Sequence, residues 1–247
     1  MNLGGLAGSG PGGRIVKKDV LAAARDTIVP YTRMRQTIAD RLSLSKATIP
    51  HFYLFQDIDL ESALVWREQY NRLNGARVTV TDLVVQAVAL ALREHPRLNA
   101  RVAKDHLVVR GGIDIGVAVA TEDGLLVPVI PAADTRDIRE LSAEIKARSE
   151  QARQGRLDPS VQGSFTVSTL GMYGTSSFLP IINPPEAAIL GVGAAEPRPV
   201  AVNGLLGIHR VMTVTLACDH RAVNGAEAAR FLQCLQGILS APGGKDR

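Results

Sequence analysis

The sequence predicts an α/β protein in which a mixed β-sheet packs with helices. Three observations lead there. Helix-period and strand-period segments are interspersed along the chain, but without the regular alternation that a doubly wound parallel sheet requires. Of the 247 residues 46% are hydrophobic, and a chain this long buries a large core without needing disulfides or metal. The motifs of the commonest nucleotide and zinc folds are missing: no GxxxxGK, no GxGxxG after a strand, no CxxC and no HExxH.

The elements follow in order. Six of the first 13 residues are glycine, a composition whose backbone entropy favours a loop or tail. Residues 19–24 can form only a short helix that needs something to pack against, so residues 1–27 read as an appendage. Thr32 is placed to cap a helix over 33–46 with Met34, Ile38 and Leu42 on one stripe, ended by Pro50. The aromatic and branched run over 51–59 predicts a strand. Helices follow over 60–73 and 81–94, the second capped by Thr81, stopped at Pro96 and carrying a buried stripe of Val84, Val88 and Leu92.

Strands then cluster. Residues 106–109 lead to a hairpin turn at Gly111-Gly112, and segments 113–120 and 125–130 flank the Asp123-Gly124 turn signal. A long amphipathic helix spans 137–154, with Ile138, Leu141 and Ile145 on its apolar face. Three more strands are expected over 164–170, 187–192 and 211–217, and a last helix over 226–239.

The charge balance narrows the function. Lys plus Arg is 28 and Asp plus Glu is 24, a surplus of +4 that is too small and scattered for a nucleic-acid groove. Two cysteines do not make the framework of a small secreted domain. No basic patch leads into an apolar run at the start, and no apolar stretch approaches the ~20 residues that cross a bilayer, so a cytoplasmic location without membrane contact is expected.

Five histidines are candidates for chemistry. His51 begins a strand, His95 ends a helix, and His106 and His209 fall in turns; structural or surface roles suit all four. His220 differs, standing just past the apolar run 211–217 in Cys-Asp-His-Arg-Ala-Val-Asn-Gly, where the sheet would hold a side chain facing open space. An imidazole there is suited to take a proton from a thiol or hydroxyl; the alternative is a packed or capping histidine. Strand alternation puts Asp219 on the opposite side and Cys218 on the same side, which allows a Cys-His pair or leaves Cys218 as a small apolar residue. Alternation also places Ser164, Thr166 and Ser168 on one face, where they are solvated, bonded to neighbouring strands, or lining a polar channel in which one donates to an oxyanion. The turn Ile181-Ile-Asn-Pro-Pro-Glu186 fixes the chain direction as scaffold or pocket wall.

These segments resemble a known family. SFTVSTLGMYGTSSFLPIINPPEAAILGVG and CDHRAVNGAEAARFLQ, supported by PYTRMRQTIADRLSLSKATIPHFYLFQDIDL and DIGVAVATEDGLLVPVI, are similar to the catalytic (E2 core) domain of the dihydrolipoyl acyltransferases of 2-oxo acid dehydrogenase complexes. The likeness covers about residues 28–240 and implies a chloramphenicol acetyltransferase-like, trimer-forming fold over 28–247. Residues 1–27 resemble the second half of the family's peripheral subunit-binding domain. That domain's first helix and the lipoyl domain that would carry dihydrolipoamide are expected to be absent from this chain.

By the same resemblance the general base falls on His220, the oxyanion-stabilising hydroxyl on Ser168, and the Asp or Asn position of the HRxxDG-like motif on Asn224; family arginines fall on Arg33 and Arg35. An amide at Asn224 can hydrogen-bond but forms no charged pair. The implied reaction moves an acyl group between coenzyme A and dihydrolipoamide by direct attack of a thiol on a thioester. The implied site lies between subunits of a homotrimer, one giving the histidine and its neighbour the serine. Because Ser240 to Arg247 offers no large apolar residue, cage assembly beyond the trimer is expected to be weak. Two other readings remain: the same fold with an amine or alcohol acceptor, and a catalytically weak trimeric scaffold.

Overall fold

In a computed structural model the chain is described over residues 5–23, 28–121, 124–156, 161–202 and 204–242. Ten strands and six α-helices are found there. A six-stranded sheet has the order β1 (His51–Asp59), β10 (Leu205–Asp219), β9 (Ala188–Val202), β8 (Phe165–Thr169), β4 (Ile115–Val117) and β7 (Val129–Ile130). Pairing is antiparallel at β1–β10, β10–β9 and β4–β7, and parallel at β9–β8 and β8–β4, so the sheet is mixed as expected.

Helices α3 (Glu61–Asn74), α4 (Val80–Glu94), α5 (Ile138–Arg153) and α6 (Gly225–Ser240) cover one face. Phe165, Val167, Leu190, Val214, Leu216 and Cys218 point from the strands into the core that Val84, Val88, Leu92, Leu141, Phe231 and Leu235 complete from the helices. Caps fix the helix starts. Asp137 and Glu140 form a capping box on α5, and Asn224 and Glu227 form one on α6. On α4 the cap is Thr79 with Asp82, not Thr81, because Asp82 satisfies both the Thr79 backbone and Ser142 of α5. Helix α2 (Arg33–Thr48) starts at Thr32 as expected, but its Met34, Ile38 and Leu42 stripe is only half-buried.

The opposite face is covered differently. Segment 175–186 lies over it, with Ile182 packing on Ile49, Ile189 and Ala217. A Cβ on Gly191 would meet the Phe178 ring at 3.1 Å and Pro180 at 3.2 Å, so glycine lets this segment approach the sheet. Pro184-Pro185 is a cis peptide within it.

Several expectations change. Segments 113–120 and 125–130 each break in two: β4 pairs β7, while β5 (Val119–Thr121) and β6 (Gly124–Leu126) form a separate hairpin whose Glu122-Asp123 tip lies outside the described residues. Gly111-Gly112 is not a hairpin turn, since β3 (Leu107–Val109) pairs back onto the unforeseen β2 (Ala100–Val102). Strands β9 and β10 are far longer than expected, and His209 lies in β10 rather than a turn, 2.5 Å from Asp59. Short helix α1 (Lys17–Ala23) matches expectation, with Asp19 bonded to Ser9 and Val16. Among the described residues no helix is long and apolar enough to cross a membrane.

Candidate active site

Strand β8 carries Thr166 and Ser168 on the face away from the helices, with Ser164 just before its first residue, and the three hydroxyls have different partners. Ser164 is fully buried and bonded to Asn99 Oδ1 and the Asp114 carbonyl. Thr166 is buried and donates to Glu186 Oε2 at 2.6 Å. Ser168 is half-buried and its hydroxyl has no hydrogen-bond partner among the described residues. It opens into a cavity of about 470 Å³. That cavity is walled by Ile38 and Arg41 of α2, Leu126 and Pro128, Arg148 of α5, and Asn183 and Glu186 of the proline turn. The Ile181–Glu186 turn is thus pocket wall as well as scaffold. Arg33 and Arg35 stay exposed at the start of α2; it is Arg41, two turns on, that reaches the cavity and donates to the Pro184 carbonyl at 2.6 Å.

His220 stands immediately beyond the end of β10 and is exposed. Its backbone N–H donates to the Pro50 carbonyl at 3.1 Å, and its ring lies 4.8 Å from that of Phe52. Phe52 pairs with Cys218 on the helix-covered side, so His220 and Ser168 occupy opposite faces. The register separates them further. Cys218 pairs with Ala188, and Thr166 pairs with Ile189, which sets His220 level with residue 163. Ser168 is therefore two strands across and about 16 Å along the strand direction from it. One chain does not bring the two groups together.

The residues beside His220 hold it in place. Asp219 is fully buried and accepts from the Arg221 backbone N–H at 2.9 Å, from Nε at 2.9 Å and from Nη2 at 2.6 Å. This pair raises the Arg221 pKa further above its ordinary value. The Asp219 carbonyl accepts from Ala222 and Val223 N–H, so the turn carrying His220 is tied at several points. Asn224 Oδ1 accepts from Glu227 N–H at 3.0 Å as the cap of α6. Cys218 is fully buried and burial pushes its thiol pKa strongly upward, which leaves it a small apolar residue and removes the Cys-His alternative.

Among the other histidines, His106 is exposed beside Asp105, whereas His51 and His95 are packed into the fold. His51 Nδ1 lies 2.9 Å from the Ile49 carbonyl while Nε2 accepts from Ile182 N–H at 3.1 Å, fixing the covering segment to β1. His95 caps the end of α4 edge-on to Phe231, and burial lowers its pKa. No cluster of His, Cys, Asp or Glu suited to a metal occurs among the described residues.

Comparison with known proteins adds the relatives. Residues 23–244 match the family model of the 2-oxoacid dehydrogenases acyltransferase (catalytic domain), and residues 1–21 match that of the e3 binding domain. The dihydrolipoyllysine-residue acetyltransferase component of the pyruvate dehydrogenase complex of Rickettsia conorii is 40% identical over 257 residues, covering 96% of this chain. The chain spans only 62% of that relative's length. The structure of the dihydrolipoamide acetyltransferase (E2p) of Azotobacter vinelandii, studied for the role of one serine, one histidine and one asparagine in its catalytic mechanism, superposes with a TM-score of 0.83. It is 35% identical, with 87% of this chain and 92% of that one covered. A chloramphenicol acetyltransferase shares the fold at a TM-score of 0.52 and 16% identity, with 81% and 94% covered.

Proposed function

Because this chain belongs to the 2-oxoacid dehydrogenase acyltransferase family, we propose that it moves an acyl group between coenzyme A and dihydrolipoamide. The observation that carries the reading is the state of Ser168: of the Ser164, Thr166 and Ser168 hydroxyls, it alone is unbonded, and it faces a cavity. A donor left free in such a place is suited to an oxyanion that forms only during reaction. In the Azotobacter vinelandii enzyme the studied serine and histidine are 52 positions apart and the asparagine follows four later; Ser168, His220 and Asn224 repeat both separations.

In this reading His220 Nε2 takes the proton of the attacking thiol. The sulfur adds to the thioester carbonyl of the other partner, and the resulting oxyanion accepts a hydrogen bond from Ser168. Collapse breaks the original carbon–sulfur bond, and the departing thiolate recovers the proton from the imidazolium. No acyl-enzyme forms, so the rate rests on holding thiol and thioester in line. Asn224 acts by position: it starts α6 four residues after His220 and so sets the turn between them.

Ser168 and His220 face opposite ways, which supports a site shared between copies; with the family resemblance, the working unit proposed is a homotrimer in which one copy supplies the imidazole and its neighbour the hydroxyl. The dihydrolipoamide arrives on a lipoyl domain. The likeness to acetyltransferase components supports acetyl as the acyl group. Transfer from acetyl-, succinyl- and isobutyryl-CoA to dihydrolipoamide, with the oligomer mass taken on the same sample, tests the reading. An acetyl-selective trimer is the expected result, and an active monomer or no transfer at all refutes it.

A further inference from the structure

The Ser168 cavity holds one acidic group that the acyl-transfer chemistry leaves unused. Glu186 is the only carboxylate among the described residues lining it, and it is 3% exposed. Its Oε2 accepts from Thr166 Oγ1 at 2.6 Å and its Oε1 from Asn183 Nδ2 at 3.1 Å. A Cβ on Gly163 would approach Oε1 to 3.2 Å, so the backbone is packed against the carboxyl. Four segments meet at this one group: β8 through Thr166, the proline turn through Asn183, β2 through the Arg101–Glu186 bridge, and α2 through Arg41.

The charges around it are all cationic, yet none is in direct contact. From α2, Arg41 spends Nη2 on the Pro184 carbonyl; from β2, Arg101 spends Nη2 on the Gln162 and Gly163 carbonyls, its Nε buried without a partner. From α5, Arg148 is paired with Glu144 at 2.6 Å, and Arg156 on the cavity rim is bonded to Gln154. β8 and the proline turn present only Thr166 and Asn183, both uncharged.

Thr166 and Ser168 are neighbours on one strand face, about 7 Å apart. A carboxylate bonded to the first thus shares the cavity wall with the hydroxyl offered by the second. We propose that Glu186 is a charge-sensitive positioning residue of the Ser168 site, permissive when neutral and inhibitory when ionised, because its anion faces the same cavity in which the thioester oxygen becomes negative. This rests on the acyl-transfer reading above. Burial supports it by holding the proton of Glu186 up to about pH 7, against the pull of Thr166, Asn183, Arg41 and Arg101. A neutral Glu186 leaves the cavity-lining Arg41 and the nearby Arg101 uncompensated by it, which favours an oxyanion; an ionised one offsets them.

Glu186→Gln keeps the shape and never ionises; its carbonyl oxygen accepts from Asn183 as before, while its amide N–H donates to the Thr166 hydroxyl, as a protonated carboxyl would. The test compares kcat for acetyl transfer to dihydrolipoamide in the full-chain oligomer between pH 6 and 8.5, for the unsubstituted protein and E186Q. Their ratio cancels the ionisation of substrate thiols and of His220. It is expected to rise about tenfold in favour of E186Q across pH 7, the size of effect one charge exerts at this range in a partly buried site. A ratio independent of pH, or one that falls, overturns the proposal.

The unsubstituted protein and Ser168→Ala together separate the two readings. Absence of transfer by the unsubstituted protein refutes the acyl-transfer reading. If Ser168→Ala leaves kcat untouched, the oxyanion role of Ser168 fails and the Glu186 proposal with it; if it lowers kcat while the E186Q ratio stays flat, the Glu186 proposal alone fails. Should E186Q not fold, carbon NMR of glutamate-labelled protein reads the group directly. A carboxyl titrating near pH 7 supports the proposal, and no such titration overturns it.

Discussion

Ser168 and His220 project from opposite faces of the same sheet, the hydroxyl into a cavity beside Asn183 and Glu186, the imidazole against Phe52 on the helix-packed side. A single chain therefore holds the two groups apart. Each is placed by its own local restraints: a parallel strand pair with Gly191 for Ser168, and the Asp219–Arg221 clamp with the Pro50 bond for His220.

His220→Ala is expected to cut kcat by about 10²–10⁴-fold, the usual worth of a general base. The ring is exposed beside Phe52 and the turn is held by backbone and by Asp219, so thermal unfolding should stay within a degree or two of the unsubstituted protein. Steady-state kinetics beside a melting curve checks both halves.

Ser168→Ala should lower kcat by about 10²–10³-fold with little change in KM, because the donor acts on charge that develops after binding. Ser164→Ala makes the contrast. It strips a partner from buried Asn99 and should cost about 1–3 kcal/mol of stability instead.

Asn224→Ala removes the side-chain cap of α6 and is expected to cost about 1 kcal/mol, measured by denaturant unfolding. Asn224→Asp caps equally well and should hold both stability and most of the activity. Loss of transfer in the aspartate variant with stability intact would show that the amide itself takes part.

Glu186 also predicts how stability varies with pH. The folded chain keeps its proton to about pH 7, whereas an unfolded chain releases it near 4.5. Folding thus takes up a proton between these values. This contribution to stability is whole below pH 4.5, declines as pH rises through the window, and is gone above 7. Glu186→Gln removes the decline, so at pH 8 the variant should gain up to about 3 kcal/mol over the unsubstituted protein relative to their difference at pH 4.5.

Much of the fold can be read from the sequence because local chemistry decides it. Strand β1 follows from its aromatic run, and Asp137 caps the start of α5 where helical periodicity begins. The outer half of the β9–β10 hairpin cannot be read so. Pro197 and Pro199 suggest a loop, yet β8 pairs β9 only as far as Val192, and past that point β9 has a free edge of the kind on which strands tolerate proline. At the site, period-two alternation groups Ser164, Thr166 and Ser168 but does not rank them. Their partners Asn99 and Glu186 are 65 and 20 positions away, and only the folded chain brings them near. Glu186 escapes sequence reading for the same reason: nothing in Pro-Pro-Glu discloses burial.

The shared site is tested most directly by complementation. His220→Ala and Ser168→Ala subunits, each nearly inactive alone, are co-expressed in equal amounts. If the imidazole of one copy serves the hydroxyl of its neighbour, three-quarters of randomly mixed trimers contain one intact site in three, and activity returns to about one quarter of the unsubstituted level. Activity no greater than the sum of the two inactive variants would contradict a site formed between copies.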